Sequence, residues 1–262
     1  MSDEGPVRSV ARAMQLLRAL QLLGEASLAT LQRRTELPKP TLLRLLHTLE
    51  AESAVWRARG DGLWRPAVHF RPTRILTPEH QRLIEVAMPL LEATRERLVW
   101  PSDLAVRVDH QMVLLETTRR SSGLAVNREA IGYQIDMIRS GVGRAYLAAC
   151  PLRERTRIVA RIARLRHSDR ESLAREVDAL CAEVQAQGYA TRDAAFGGRD
   201  EPIDVFDDQL AAIALPIVLG PKVLGCINVV WLKRVDTLAS VAARHLPLLR
   251  KTAAEIASAW AA

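Results

Sequence analysis

The sequence predicts an α+β fold in two parts, a small helical head followed by a larger body built on a largely antiparallel sheet. Residues 27–65 read as two short helices, the second restarted at a proline pair, followed by a two-stranded turn. Apolar, β-branched runs then come in pairs around tight turns at 104–116 and 209–232, with amphipathic helices between them. Strands in hairpins with helices outside them describe an antiparallel α+β domain. Charge separates the parts: residues 1–75 hold 12 Arg or Lys against 7 Asp or Glu, net +5, while the other 187 hold 25 against 23, net +2.

Residues 6–23 are predicted to form the first helix, with Val7, Val10, Met14, Leu17 and Leu20 near one face. Ser27 is a good N-cap, and Leu28, Ala29 and Leu31 supply apolar positions for a short helix ending near Thr35. Leu37-Pro38-Lys39-Pro40-Thr41 restarts a helix, because proline is tolerated in a first turn whose N–H groups lack intrahelical partners. Leu42, Leu45, Leu46 and Leu49 recur at helical spacing and face a core, leaving Lys39, Thr41, Arg44 and His47 on the opposite side. Val55-Trp56-Arg57 and Leu63-Trp64-Arg65 flank Gly60-Asp61-Gly62, a hairpin signal, and both tryptophans read as hairpin packing. This order, over 1–66, is that of a winged helix-turn-helix, a module whose second helix enters the DNA major groove.

A polar passage from Pro66 to Thr77 opens a linker spanning 67–99, and Thr77-Pro78-Glu79 combines cap, proline and an acid at a helix start. The linker helix 78–99 is predicted to bend or break near Pro89. The body, 100–262, begins with a hairpin of Leu104–Val108 and Met112–Glu116 around Asp109-His110-Gln111. Helices follow at 141–149, 151–165 and 169–187, then strands 209–219 and 223–232 around Gly220-Pro221-Lys222, and a closing helix 237–259.

Several function classes lose support. No apolar run reaches the roughly 18 residues of a membrane span, and no signal-peptide pattern opens the chain, so a cytoplasmic protein without a membrane partner is expected. Cys150, Cys181 and Cys226 have no metal or disulfide spacing, the six histidines are scattered, and neither metal nor cofactor is expected. Gly141-x-Gly143 lacks the third glycine of a dinucleotide fingerprint, and no GxSxG, paired-carboxylate helix or phosphate loop is present. A Cys150 or Cys226 nucleophile would need a histidine nearby in space. An enzyme is therefore disfavoured.

Two groups of residues carry the functional reading. Arg44 and Thr41 are the candidate base readers, since arginine grips guanine O6 and N7 with two hydrogen bonds; a phosphate contact is the plainer role for Arg44. Lys39, Arg57, Arg59 and Arg65 are candidates for phosphates, against an ordinary solvated face. In the body, the free N–H groups and dipole at the start of the Gly141 helix favour a carboxylate. Tyr133 and Tyr146 are candidates to pack against or hydrogen-bond an aromatic ring, although each side chain alone reads equally as core.

Val7-Arg8-Ser9-Val10-Ala11-Arg12-Ala13, Leu37 to Leu46, Gly143-Arg144-Ala145-Tyr146-Leu147-Ala148, Ile213-Ala214-Leu215-Pro216-Ile217 and Val223-Leu224-Gly225 occur in an order that resembles the IclR family of bacterial transcriptional regulators. Within it, Trp100 to Val106, Glu116-Thr117-Thr118 and Gly225 to Val230 are similar to regulators of 3-(3-hydroxyphenyl)propionate breakdown. The resemblance implies a DNA-binding head, a dimerising helical linker and a GAF-like body that binds a small organic acid. It also implies a homodimer or homotetramer that acts at operator DNA, with RNA polymerase as a further contact. It places Met137 and the Gly141-Val142 backbone beside the effector, with Cys226, Asn228 and Val230 on the facing strand. An activator of an aromatic-acid operon is the expected role. A regulator of another carbon source such as a keto acid, and a winged helix used only for protein contacts, are the alternatives. Pro40 and Leu43 replace residues that are commonly polar or aromatic in that family and offer apolar contacts to thymine methyls instead. Asp136 stands where a proline is common, which marks an altered pocket mouth.

Overall fold

The computed structural model describes residues 7–23, 25–58, 60–66, 77–119, 132–198, 203–204 and 207–262. The chain divides into two compact units, Met1–Arg74 and Ile75–Ala262.

The first unit holds α1 (Arg8–Leu23), α2 (Leu28–Thr35), α3 (Lys39–Ala51) and the strands β1 (Val55–Arg57) and β2 (Trp64–Pro66). Ser27 caps α2 by accepting a hydrogen bond from the Thr30 amide at 3.2 Å, and Glu36 ends it in the left-handed region with φ of 56°. α3 starts without a side-chain cap, behind Pro38 and with Pro40 in its first turn. Leu16, Leu17, Leu20, Leu31, Leu42, Leu46, Val55 and Trp64 form one core. Two expectations fail here. Val7 and Val10 are 64% and 58% exposed, because the buried face of α1 is set by Leu16, Leu17 and Leu20 at i, i+1 and i+4. Trp56 is 47% exposed, because adjacent positions on a strand point to opposite faces and Val55 takes the inner one. Its ring lies under Arg65, 5.4 Å from the guanidinium carbon. Trp64 is buried, and its backbone exchanges two hydrogen bonds with Ala26, adding a third segment to the wing.

The second unit contains α4 (Pro78–Leu98), β3 (Asp103–Val108), β4 (Gln111–Thr117), β5 (Gln134–Asp136), α5 (Gly141–Ala149), α6 (Leu152–Arg166), α7 (Arg170–Gln187), β6 (Ala190–Thr191), β7 (Leu210–Leu219), β8 (Lys222–Leu232) and α8 (Leu238–Ala261). The sheet order is β5-β4-β3-β8-β7-β6, and every pairing is antiparallel. α4 continues through Pro89 rather than breaking there. β5 and β6, three and two residues long, are too short to show alternation in the sequence.

Alternation along β7 and β8 sorts the two faces. Ile213, Leu215, Ile217, Ile227, Val229 and Trp231 pack with Leu83, Leu91, Val241, Leu249 and Ile256 of α4 and α8. On the other face Ala105, Met112, Ala214 and Cys226 meet Met137, Val142, Ala145 and Tyr146, with α6 and α7 completing that core. No helix among the described residues is long and apolar enough to cross a membrane.

Candidate DNA-reading face and effector site

In the first unit, Leu42 and Leu46 anchor α3 from below, so the face opposite them is presented outward. Lys39, Pro40, Arg44 and His47 are exposed on α3, and Thr41 and Leu43 are half-buried at its edges. The His47 ring stands 6.5 Å from that of Trp64, which ties the helix to the wing. The wing arginines are less available than their spacing predicts. Arg65 pairs with Glu25 at 2.5 Å and Asp61 at 2.6 Å, so it braces the wing and a phosphate would compete with two carboxylates for it. Arg57 folds back to donate from Nε to the Gly62 carbonyl at 3.1 Å, leaving its outer guanidinium edge on an exposed side chain. Arg59 lies outside the described residues.

In the second unit, the α5 side of the sheet carries a polar cluster inside an otherwise apolar core. Asp103, 1% exposed, accepts from Arg119 Nε at 2.8 Å and Nη2 at 2.6 Å, from Thr117 Oγ1 at 2.7 Å and from Asn228 Nδ2 at 3.1 Å. The Asp103 amide in turn donates to Asn228 Oδ1 at 2.8 Å. Burial opposes the charge on Arg119, but the charge and hydrogen bonds of Asp103, with Asp208 beyond, hold its pKa above the usual value. Asp208 pairs with Arg192 at 2.9 Å, and Arg192 donates to the Phe196 carbonyl from two nitrogens. Gly198, with φ of 102°, lets the chain pass close: a Cβ there would stand 2.3 Å from Asp208 Oδ2. Tyr133 Oη donates to the Gly198 carbonyl at 2.6 Å.

The start of α5 opens onto this cluster. A Cβ at Gly141 would stand 3.5 Å from Ala214 Cβ and 3.6 Å from the Arg192 amide, and Ala214 is paired with Asn228 across β7 and β8. Ser140 caps the helix by accepting from the Gly143 amide at 3.1 Å. The amides of Gly141 and Val142, both buried, have no acceptor among the described residues. Asp136 sets this geometry. Its carboxylate accepts from the Ile138 and Arg139 amides at 2.8 and 2.7 Å and pairs with Arg166, while its carbonyl accepts from Ser140 Oγ at 2.6 Å. The sequence reads Asp136 as a changed pocket mouth, whereas the structure makes it the organiser of the turn that delivers Ser140 and Gly141.

Tyr133, Gly141, Val142 and Asn228 are thus brought to one region. Cys226 and Val230 share the Asn228 face of β8, but Cys226 and Met137 are closed into the apolar core and Val230 packs with Leu210 and Ala212. The Asn228 amide is spent on Asp103, so it positions that carboxylate. Tyr146 is engaged elsewhere. Its hydroxyl accepts from Arg107 Nε at 3.1 Å and donates to Glu154 Oε1 at 2.5 Å, and Arg107 lies four residues along β3 from Asp103. Burial and the Glu154 hydrogen bond push its pKa up. Asp103, Arg119, Arg192 and Asp208 carry no motif that singles them out in the sequence; the one signal is an acid at Asp103 on the inward parity of Ala105.

Residues 9–57 match the IclR helix-turn-helix domain. The transcriptional repressor IclR of Escherichia coli is 24% identical over 224 residues, covering 83% of this chain and 81% of that protein. An IclR family transcriptional regulator from Brucella abortus superposes with a TM-score of 0.61 at 23% identity, over 98% of this chain and 94% of the other. An IclR homolog from Microbacterium hydrocarbonoxydans, complexed with 4-hydroxybenzoate, gives 0.57 at 21% identity, over 97% and 99%. Residues 9–57 therefore carry an IclR helix-turn-helix domain, and over most of its length the chain is similar to IclR-family transcriptional regulators. The body has the fold of an IclR-type effector domain, with the helical region and α4 ahead of it.

The three thiols of the body are not activated. Burial pushes Cys150 up to about 12 and holds Cys181 and Cys226 above the ordinary thiol value. None supplies a thiolate at neutral pH.

Proposed function

We propose that this chain is an IclR-family regulator that senses a small organic acid at the start of α5 and reads operator DNA with the outer face of α3. The observation that carries the effector half is the pair of buried, unengaged amides of Gly141 and Val142 beside the Asp103–Arg119 and Asp208–Arg192 pairs. Two amides at a helix N-terminus attract an anion, and they do so in a core from which water is largely excluded. Arg119 and Arg192 are each neutralised by a carboxylate, so the helix terminus is the uncompensated positive element. A compact acid with one carboxylate suits it, and the keto acids and short hydroxy acids are the first candidates.

The aromatic reading is the second one. The stretches around Trp100, Glu116 and Gly225 support it, as does Tyr133 beside the cluster, and the 4-hydroxybenzoate complex concerns a relative of the same fold. The E. coli relative is a repressor by name, which supports repression over activation as the sign. Helices on both faces of the six-stranded sheet support a GAF-like body. A homodimer or homotetramer with paired heads fits half-site recognition. The effector would act by population shift, through unequal affinity for two arrangements of the heads that differ in operator fit or in contact with RNA polymerase.

A thermal-shift screen of short-chain and aromatic acids tests the effector half. A ligand bound only by the folded state stabilises it by about 2.7 kcal/mol at a hundredfold excess over Kd. Shifts confined to keto or hydroxy acids are expected; shifts confined to hydroxyphenylpropionate-like acids would favour the aromatic reading, and none with any acid would sink both. On DNA, Arg44→Ala is expected to cost about 1–3 kcal/mol of discrimination between an operator selected by binding enrichment and mixed-sequence duplex. An equal loss on both would reduce Arg44 to a phosphate contact.

A further inference from the structure

α6 carries six arginines and a single carboxylate in 15 residues. At 100° per residue its arginines fall into two sets. Arg155 and Arg166 fall within the arc of Ile158, Val159, Ile162 and Ala163, toward the two ends of the helix, and both are used by the body, pairing with Asp178 and Asp136. Arg153, Arg157, Arg161 and Arg164, spaced four, four and three apart, form a stripe on the opposite side. Arg161 reaches Asp109 at 3.4 Å, whereas Arg153, Arg157 and Arg164 are exposed and make no ion pair among the described residues. Glu154, at the edge of the stripe, is drawn away to Arg107 and Tyr146. Elsewhere in this unit Arg119, Arg144, Arg192 and Arg244 each pair with an aspartate, while Arg97, Arg139, Arg170, Arg175 and Arg234 are exposed, separate from one another on the sequence, and make no ion pair among the described residues. The α6 stripe differs in setting four guanidinium groups in one line, of which Arg161 alone has a carboxylate partner among the described residues.

We propose that this stripe is a second DNA contact that lies along the phosphate backbone of duplex outside the segment read by α3. The proposal rests on the DNA-binding reading of the head. From Arg153 to Arg164 the stripe is about 16 Å long, at 1.5 Å per residue. Duplex DNA carries a charge every 1.7 Å of axis, so that length offers about five phosphates on each strand. Arginine grips phosphate through two N–H groups at once and is the residue type suited to this task. The small residues Thr156 and Ala160 border the stripe on one side, and the exposed Leu152 and Leu165 fall further out to either side. A rod-like polyanion fits such a face better than a small anion, which spans one turn, or an apolar protein surface, which needs large side chains at its centre.

The test uses the full chain with Arg153, Arg157 and Arg164 all changed to Gln, and a parallel variant with all three changed to Lys. Affinity for a long mixed-sequence duplex is measured across a series of KCl concentrations, and mass by sedimentation. The Gln variant is expected to keep its melting temperature and mass, and its plot of log K against log salt should be shallower by about 0.9 for each phosphate that is no longer neutralised. The Lys variant should keep most of the slope, because lysine still neutralises phosphate. A Gln variant with unchanged slope overturns the proposal. So does one with reduced mass and unchanged slope, which would assign the stripe to an acidic protein surface such as a second copy. Should the Gln variant fail to fold, Arg157→Gln alone reads the same slope with one phosphate at stake. A wild-type chain that binds no DNA would overturn the head reading itself, a result distinct from either.

Discussion

Asp103→Ala is expected to destabilise the body by about 3–5 kcal/mol, the usual cost of removing one partner from a buried ion pair. At about 2–4 °C per kcal/mol for a domain of this size, the melting temperature should fall by on the order of 10 °C. The cost arises because four donors lose one acceptor at once. Arg119 Nε and Nη2, Thr117 Oγ1 and Asn228 Nδ2 all end on this carboxylate, and Arg119 is only 7% exposed. Its charge would then sit in the core without the carboxylate that accepts two of its hydrogen bonds, and Asp208 is already paired to Arg192. Asp103→Asn keeps the shape and still strands the guanidinium, so it should fall near the alanine variant. Changing Asp103 to Leu together with Arg119 to Met removes both charges and should recover much of the loss, since apolar replacement of a whole buried pair is often neutral or stabilising. Thermal unfolding of the three variants and the parent decides the matter. A double variant no more stable than Asp103→Ala would mean that the pair is not the coupled unit.

That cluster marks the boundary of what was legible in the chain. The long elements were readable because their signals are local. Gly141–Ala149 forms the helix expected there, and the β7–β8 hairpin follows from two apolar, β-branched runs around Gly220-Pro221-Lys222. Local signals also placed Arg44 on the outer face of α3, because Leu42 and Leu46 fix the inner one. The pairing of Asp103 with Arg119 is non-local. It exists because the β3–β4 register brings Asp103 opposite Thr117, and the chain then turns so that Arg119 points back. Asn228 joins them from a strand 125 residues away. Tyr146 shows a non-local effect too: its type suggests a ligand contact, and the fold sets its hydroxyl between Arg107 and Glu154, four residues along β3 from Asp103. Trp56 fails for a similar reason, since residue type predicts burial but strand parity decides otherwise, and two carboxylates brace Arg65 in the wing.

The two glycines of α5 give the second large effect, and they are expected to behave in opposite ways. In a helix interior, glycine to alanine ordinarily gains up to about 1 kcal/mol. At Gly143 the sign should reverse. A Cβ there would stand 2.2 Å from the Met137 carbonyl oxygen and 2.6 Å from its carbon, and both are backbone atoms. The 136–140 turn is held against them by the Asp136 and Ser140 hydrogen bonds, so α5 must lift off the turn for the methyl to fit. Overpacking of this kind costs about 1–3 kcal/mol and occasionally more, and Gly143→Ala should sit at the upper end, with effector binding lost because the first turn has moved. At Gly141 the nearest atoms are Ala214 Cβ at 3.5 Å and the Arg192 amide at 3.6 Å, so a methyl fits without displacement. Gly141→Ala should therefore keep or raise the melting temperature while narrowing the approach to the two free amides. An acid that stabilises the parent should then stabilise this variant less, by at least tenfold in Kd. Calorimetric unfolding with and without that acid separates the effects. A Gly141→Ala protein that is stable and binds the acid as the parent does would move the effector away from the start of α5, and a Gly143→Ala protein as stable as the parent would mean that the close approach of turn and helix is not a fixed feature of the fold.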